Sequence, residues 1–288
     1  MIRGLVTGAG GQLGRAVIAE LEAASDFAEP VALTRAEADL TRAGALASAI
    51  TTARPEVVFH CAAMTAVDRC ESDAEEARAV NGRACEELAE AAQAVGARVL
   101  GISTDYVFRG DDPAGYDEDS PTGPLSVYGQ TKLAGEAPIL AADARNIVAR
   151  VSWLFGPGGA NFVETMLRFA EQGRPLTVVT DQVGRPTYAP HLARSLLELA
   201  RQPTGGLVHI TGLGPTVSWH AFAVEIMKQA GHAITIGETT GAAFARPAPR
   251  PSCSILNSVR AERFGLAPQP DWREGLSDFI RRRSASAS

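Results

Sequence analysis

The chain has 288 residues and a formal net charge of −6, with 33 acidic against 27 basic residues, which excludes the basic footprint of a nucleic-acid binder. At 45% hydrophobic and 21% charged it holds enough apolar material for one large or two modest domains, and no apolar run reaches membrane-spanning length. The four cysteines form no C-x-x-C pair and the five histidines no His-x-x-x-His spacing, which argues for a reducing, cytoplasmic setting without a disulfide framework or a histidine-based metal site.

Ile2 to Val6 predicts a first strand, too close to the start to leave room for a signal peptide. It runs into Thr7-Gly8-Ala9-Gly10-Gly11-Gln12-Leu13-Gly14 and then a helical pattern, Arg15 to Ala24. The spacing is G-x-x-G-x-x-G. Gly8 would make the tight turn, Gly11 would admit a pyrophosphate to the helix N-terminus, and Gly14 would allow close helix–sheet packing. The alternative is an ordinary glycine-rich turn. Val31 to Thr34 predicts a second strand with no acid at its end, where an NAD enzyme often carries one. Arg35 either meets a 2′-phosphate, which favours NADPH, or is a solvated loop charge. Asp39, followed by Leu40, either caps the helix Arg42 to Ala53 or sits beside the adenine.

Val57 to Ala62 predicts a third strand ending in Ala62-Ala63-Met64-Thr65, small residues that suit a wall against a flat cofactor or simply close packing. One long helix, Ala74 to Val95, follows, and Asn81 inside it faces either a buried water or solvent. Arg98 to Ser103 is the fourth strand. It delivers Ser103-Thr104-Asp105-Tyr106 to its C-terminal end, where open α/β sheets bind ligands. A long loop, Arg109 to Leu125, leads into Tyr128-Gly129-Gln130-Thr131-Lys132 on a helix reaching about Ala142, with a break or kink at Pro138.

Tyr128 and Lys132, four apart, share one helix face. An ammonium beside a phenol favours the phenolate, which would lower the Tyr128 pKa toward working pH. Asn146 to Val151 predicts a fifth strand, followed by Trp153 and the helix Phe162 to Glu171. Leu176 to Val179 and Leu207 to Thr211 are further strands, flanking the helix His191 to Arg201. The helices Trp219 to Ala230 and Trp272 to Arg283 complete the chain. The alternation of strand and helix through residue 151 calls for a parallel sheet. The reading is therefore an α/β, Rossmann-like doubly wound parallel sheet formed by residues 1–151 and about 176–212. About 152–175 and 213–283 form a small, mostly helical substrate lobe, and 284–288 a disordered tail.

The glycine turn, Ser103-Thr104 and Tyr128-x-x-x-Lys132 together resemble the extended branch of the short-chain dehydrogenase/reductase superfamily. Finer runs resemble its family of dTDP-4-dehydrorhamnose reductases: Ala62-Ala63-x-Thr65-Ala66-Val67-Asp68, Ser103 to Phe108, Arg150-x-Ser152-Trp153, Asn161-Phe162, Asp181-Gln182-x-Gly184-x-Pro186-Thr187 and Arg250-Pro251. The resemblance implies reduction of a dTDP-linked 4-keto-6-deoxy sugar to dTDP-L-rhamnose with NADPH or NADH. Tyr128 would be the proton donor, Lys132 its partner and Thr104 the hydroxyl beside the carbonyl. Cofactor contacts would come from Gly8, Gly10, Gly11, Gln12 and Leu13 at the turn, from Arg35, Asp39 and Leu40, from Ala62, Ala63 and Thr65, and from Ser103, Tyr128 and Lys132. Val67, Thr104, Asp105, Tyr106, Tyr128, Trp153 and Asn161 would line the nucleotide-sugar site, with Arg250 on its phosphates. No metal carries over, because the first helix has no acid before Glu20; a homodimer is left open. The competing readings are another sugar-nucleotide reductase or epimerase of this branch, and a non-catalytic NADP-binding regulatory subunit.

Overall fold

The computed structural model describes residues 1–244 and 246–287. The first half runs β1 (Gly4–Thr7), α1 (Gln12–Ala23), β2 (Val31–Leu33), α2 (Ala45–Ala53), β3 (Val57–His60), α3 (Val67–Ser72), α4 (Ala74–Arg78), a π-helical turn (Ala79–Arg83), α5 (Ala84–Val95), β4 (Arg98–Thr104) and α6 (Val127–Ala142). The second runs β5 (Ile147–Val151), β6 (Leu154–Phe155), α7 (Phe162–Glu171), β7 (Leu176–Val179), β8 (Val183–Gly184), β9 (Thr187–Tyr188), α8 (Ala189–Arg201), β10 (Gly206–His209), β11 (Val217–Ser218), α9 (Trp219–Ala230), β12 (Ile236–Thr239), β13 (Cys253–Ser254) and α10 (Trp272–Ala287).

Six strands form one sheet in the order β10-β5-β4-β3-β1-β2, every neighbouring pair parallel. Successive strand residues point to opposite faces, so β1 sends Val6 into one core and Leu5 into the other. Leu13, Val17 and Leu21 of α1, with Leu192 and Leu196 of α8, close the first face. Leu46 and Ile50 of α2, Leu88 of α5 and Ile139 of α6 close the second. The lobe has its own core, in which Phe155, Val163, Leu167, Phe222, Ile226 and Trp272 meet between α7, α9 and α10.

Four features differ from the sequence expectation. Leu176–Val179 does not join the large sheet but pairs with β12 in a two-stranded ribbon. It buries alternate residues only, as a strand lying on one core does, whereas sheet-centre strands are buried on both faces. The helix expected over 74–95 is interrupted by the π turn around Asn81. Helix α6 continues through Pro138. The last helix runs on past Arg283 to Ala287, anchored by Arg283 on Glu164 and Glu171; Ser288 lies outside the described residues.

A Cβ on Gly14 would stand 2.2 Å from the carbonyl oxygen of Gly8, so α1 lies flat on the turn only because position 14 has no side chain. Gly14→Ala must push the helix off the turn. Overpacking of this kind costs about 1–3 kcal/mol, to be read as a lowered urea midpoint together with weakened dinucleotide binding.

Candidate active site

The chain leaves β1 in one direction to β2 and returns to β3, so the strand order reverses between β1 and β3. Ligands of open α/β sheets sit at such a reversal, beyond the strands' C-terminal ends. Gly8 adopts φ +65°, a conformation L side chains resist, and Gly11 donates back to its carbonyl at 2.9 Å. A Cβ on Gly10 would meet nothing within 4 Å, so the turn has open space above it. Helix α1 begins with no side-chain cap and no acid in its first turn. Its unpaired N–H groups and positive dipole end fit the diphosphate of a dinucleotide. Leu13 turns into the core. The Gln12 side chain leaves the turn, donating to Ala160 O at 3.2 Å and accepting from Asn161 Nδ2 at 3.0 Å, which ties the lobe to the cradle.

Beyond β2, Arg35 is exposed and pairs with Asp39 at 3.4 Å and Glu76 at 3.8 Å. Asp39 does not cap α2. It accepts from the amide and hydroxyl of Thr41, while Glu87 caps α2 by accepting from Gly44 and Ala47, both at 2.9 Å. Asp39 is held well below the ordinary aspartate range by the Thr41 bonds and remains a carboxylate. Leu40 is half-buried against the α2–α5 core. A guanidinium and a carboxylate thus stand side by side beyond β2.

The two hydroxyls at the end of β4 go opposite ways. Ser103 donates to Glu136, which also receives two bonds from Arg150, at 2.9 and 2.6 Å. That ion pair is almost fully buried, so the Ser103 side chain is committed to the sheet's interior rather than the cleft. Thr104 donates to Asp105 Oδ1 at 3.0 Å, accepts from the Tyr106 amide and bonds the Tyr128 hydroxyl. Ser126 caps α6 by accepting from Gly129, which presents Tyr128 in the first turn. The Tyr106 and Tyr128 rings meet edge to face at 5.4 Å.

The phenol departs from the expected direction. Burial pushes Tyr128 above the ordinary tyrosine value, the Thr104 bond pulling only partly back. Lys132 is buried one turn deeper among Cys85, Glu136, Cys61 and His60, and burial draws its ammonium below the ordinary lysine range. It makes no salt bridge among the described residues and shares an enclosed space with His60, Ser103 and Glu136.

Asn81 is buried and does not face solvent. Its side chain accepts from the Met64 amide at 2.9 Å and donates to Met64 O at 3.1 Å and Thr131 Oγ1 at 3.2 Å. The chain of bonds continues through the Asn81 carbonyl to Cys85 Sγ at 3.4 Å, His60 Nε2 at 3.7 Å, and from His60 Nδ1 to Thr7 Oγ1 at 2.9 Å. Thr7 also accepts from the Ala62 amide; burial, with Lys132 nearby, pulls the His60 pKa down to about 3, so the imidazole is neutral. The Ala62–Ala63 strand end is thereby bolted to β1, α5 and α6. Thr65 stays exposed at its rim.

A cleft of about 980 Å³ opens beside Tyr106, walled by Phe162, Phe169 and Trp219 from the lobe and by Arg246 and Arg250 from the segment before β13. Trp153 does not line it directly; its indole stacks on Trp219 at 3.5 Å and 10°. Asn161 is spent on structure, capping α7 through Glu164 N and bonding Gly156 O. Val67 packs beside Tyr128. Trp219, Arg246 and Asp68, which pairs with both arginines, escaped sequence reading; only the Ser218 cap before Trp219 offered a local signal.

A Rossmann sheet with a glycine cradle at its first strand and a Thr–Tyr pair beyond its fourth defines the class of nicotinamide-cofactor oxidoreductases. A family model described as the RmlD substrate binding domain matches residues 2–285, and the chain belongs to that family. It is 42% identical over 283 residues to a dTDP-4-dehydrorhamnose reductase of Streptomyces griseus, covering 96% of this chain and 92% of that one. Two solved dTDP-4-dehydrorhamnose reductases superpose closely. The one from Clostridium acetobutylicum has a TM-score of 0.93 at 36% identity, covering 98% and 100% of the two chains. The one from Bacillus anthracis, in complex with NADP, has 0.92 at 34%, covering 98% and 99%.

Two stability predictions follow from the buried charges. Glu136→Ala leaves the Arg150 guanidinium buried without its carboxylate, a loss of about 3–5 kcal/mol measurable by urea denaturation. Asp105 is raised by burial to about 6, against the Ser254 and Thr104 bonds that lower it, from an ordinary 3.8. The folded state therefore holds this proton more tightly than the unfolded chain, and its stabilising contribution is lost as pH rises from about 4 through 6. The loss is about 3 kcal/mol at 1.36 kcal/mol per unit. Asp105→Asn should flatten that portion of the stability–pH curve; an unchanged curve counts against the assignment.

Proposed function

We propose that the protein reduces the 4-keto group of dTDP-4-dehydro-L-rhamnose to give dTDP-L-rhamnose, with NADPH as cofactor and NADH as a second acceptable donor. The observation that supports this is the pairing of Thr104 with Tyr128 beside Tyr106, whose ring lines an aromatic and arginine-walled cleft, together with an uncapped glycine cradle at the end of β1. The chemistry expected of the bound nicotinamide is delivery of a hydride to C4. Glycine-turn amides and the α1 N-terminus would hold its diphosphate, and Arg35 and Asp39 its adenine ribose.

The chain's own residues handle the proton. Burial keeps the Tyr128 phenol fully protonated in the resting protein, the form a proton donor needs. As charge gathers on the ketone oxygen, Tyr128 donates to it and then transfers the proton, completing the alcohol and leaving a phenolate. Hydrogen bonds aimed where charge develops help most at that moment. The Lys132 ammonium stabilises the phenolate until a proton returns. Thr104 has one hydrogen, presently given to Asp105; on turning to the ketone it becomes the second donor. Four reduced cysteines fit a reducing cytoplasm.

The test is NADPH oxidation with dTDP-4-dehydro-L-rhamnose. Tyr128→Phe should lower turnover at least about a hundredfold, the low end for losing general acid catalysis, while NADPH binding persists. Near-normal turnover in that variant would remove Tyr128 from the mechanism. NADPH binding without oxidation in the intact chain would favour a regulatory subunit.

A further inference from the structure

Asp68 stands in the first turn of α3, one residue beyond Val67, on the cofactor-binding domain. Three groups from the 246–250 strap converge on its carboxylate. Arg250 Nη2 lies 2.9 Å from Oδ1, Arg246 Nη1 lies 3.5 Å from Oδ2, and the Ala248 amide donates to Oδ1 at 3.3 Å. Prolines at 247, 249 and 251 carry no N–H, so the strap directs at Asp68 one of its few backbone donors. Arg250 is mostly buried, its guanidinium 6.0 Å from the Tyr106 ring, and its Nη1 is buried without a partner. Both arginines line the cleft. Two guanidinium groups facing one carboxylate leave an excess positive charge beside the cleft and one buried, unpaired donor on Arg250.

Resting on the nucleotide-sugar reading above, we propose that Asp68 is a positioning residue that stands in for the substrate's diphosphate. In the empty protein its carboxylate holds Arg246 and Arg250 in place across the cleft. A nucleoside diphosphate then displaces it, the two guanidiniums transferring to phosphate oxygens, which match their bidentate geometry. Asp68 thus preorganises the arginines and competes with the ligand for them, setting a ceiling on affinity.

The test is calorimetric titration of dTDP into the full-length protein. Asp68→Asn, a nearly isosteric change, should bind dTDP about three- to tenfold more tightly, with an affinity that falls more steeply as salt is added, and should lower KM for the sugar nucleotide. NADPH affinity should not move. Arg250→Met should weaken dTDP at least tenfold, and Asp68→Asn should have no effect once Arg246 and Arg250 are both Met. Asp68→Ser repeats the measurement if Asp68→Asn lowers Tm. Equal or weaker dTDP binding by these variants, with NADPH binding intact, overturns the displacement while leaving the reductase reading standing. Failure of the unaltered protein to bind dTDP overturns both.

Discussion

The catalytic helix is fixed by polar groups buried beneath it. Glu136, one turn past Lys132, is locked by Arg150 and Ser103 from the sheet, and Thr131 on the same helix takes the Asn81 amide. These contacts set both the height and the rotation of α6, because each buried charge or amide has a single set of partners and a severe desolvation cost if displaced. A Cβ on Gly135 would stand 2.3 Å from the Asn81 carbonyl oxygen, so the helix also approaches the π turn as closely as backbone permits. The position of the Tyr128 hydroxyl follows from that anchoring.

The lysine below it has a different electrostatic setting from the one its helical spacing suggests. Four-residue spacing brings Lys132 near Tyr128, but depth decides which effect wins. With phenol and ammonium both taken from water, the cost of ionising the phenol exceeds what neighbouring dipoles return. Burial keeps Tyr128 neutral at rest and draws Lys132 below the ordinary lysine range. His60, held neutral by burial with Lys132 nearby, adds a polar contact to Thr7 without adding charge.

Local pattern made much of this legible. The apolar run, three glycines and amphipathic helix at the start could serve few folds, and strand alternation alone separates Ser103 from Thr104. What stayed hidden depends on long-range partners. Nothing near Asn81 announces a π turn, and the Met64 backbone that its side chain bonds lies on another segment. Nothing near Arg250 points to Asp68, far away in sequence. Leu176–Val179 looks like any sheet strand, and only its pairing with Ile236–Thr239 assigns it to the lobe. Asn161 carries a family-like motif, yet its amide is consumed by a helix cap and by the tie to Gln12.

Trp153 takes φ 50°, a left-handed conformation that is an outlier for so bulky a residue. The indole lies against Trp219 on one side, and a Cβ on Gly184 would come within 2.7 Å of it. Relaxing that backbone would require the two stacked rings to part, so the aromatic wall is a stiff template instead of a yielding flap. A group seated against Trp219 meets a preset shape, since the stacked rings have no inexpensive way to remodel around it.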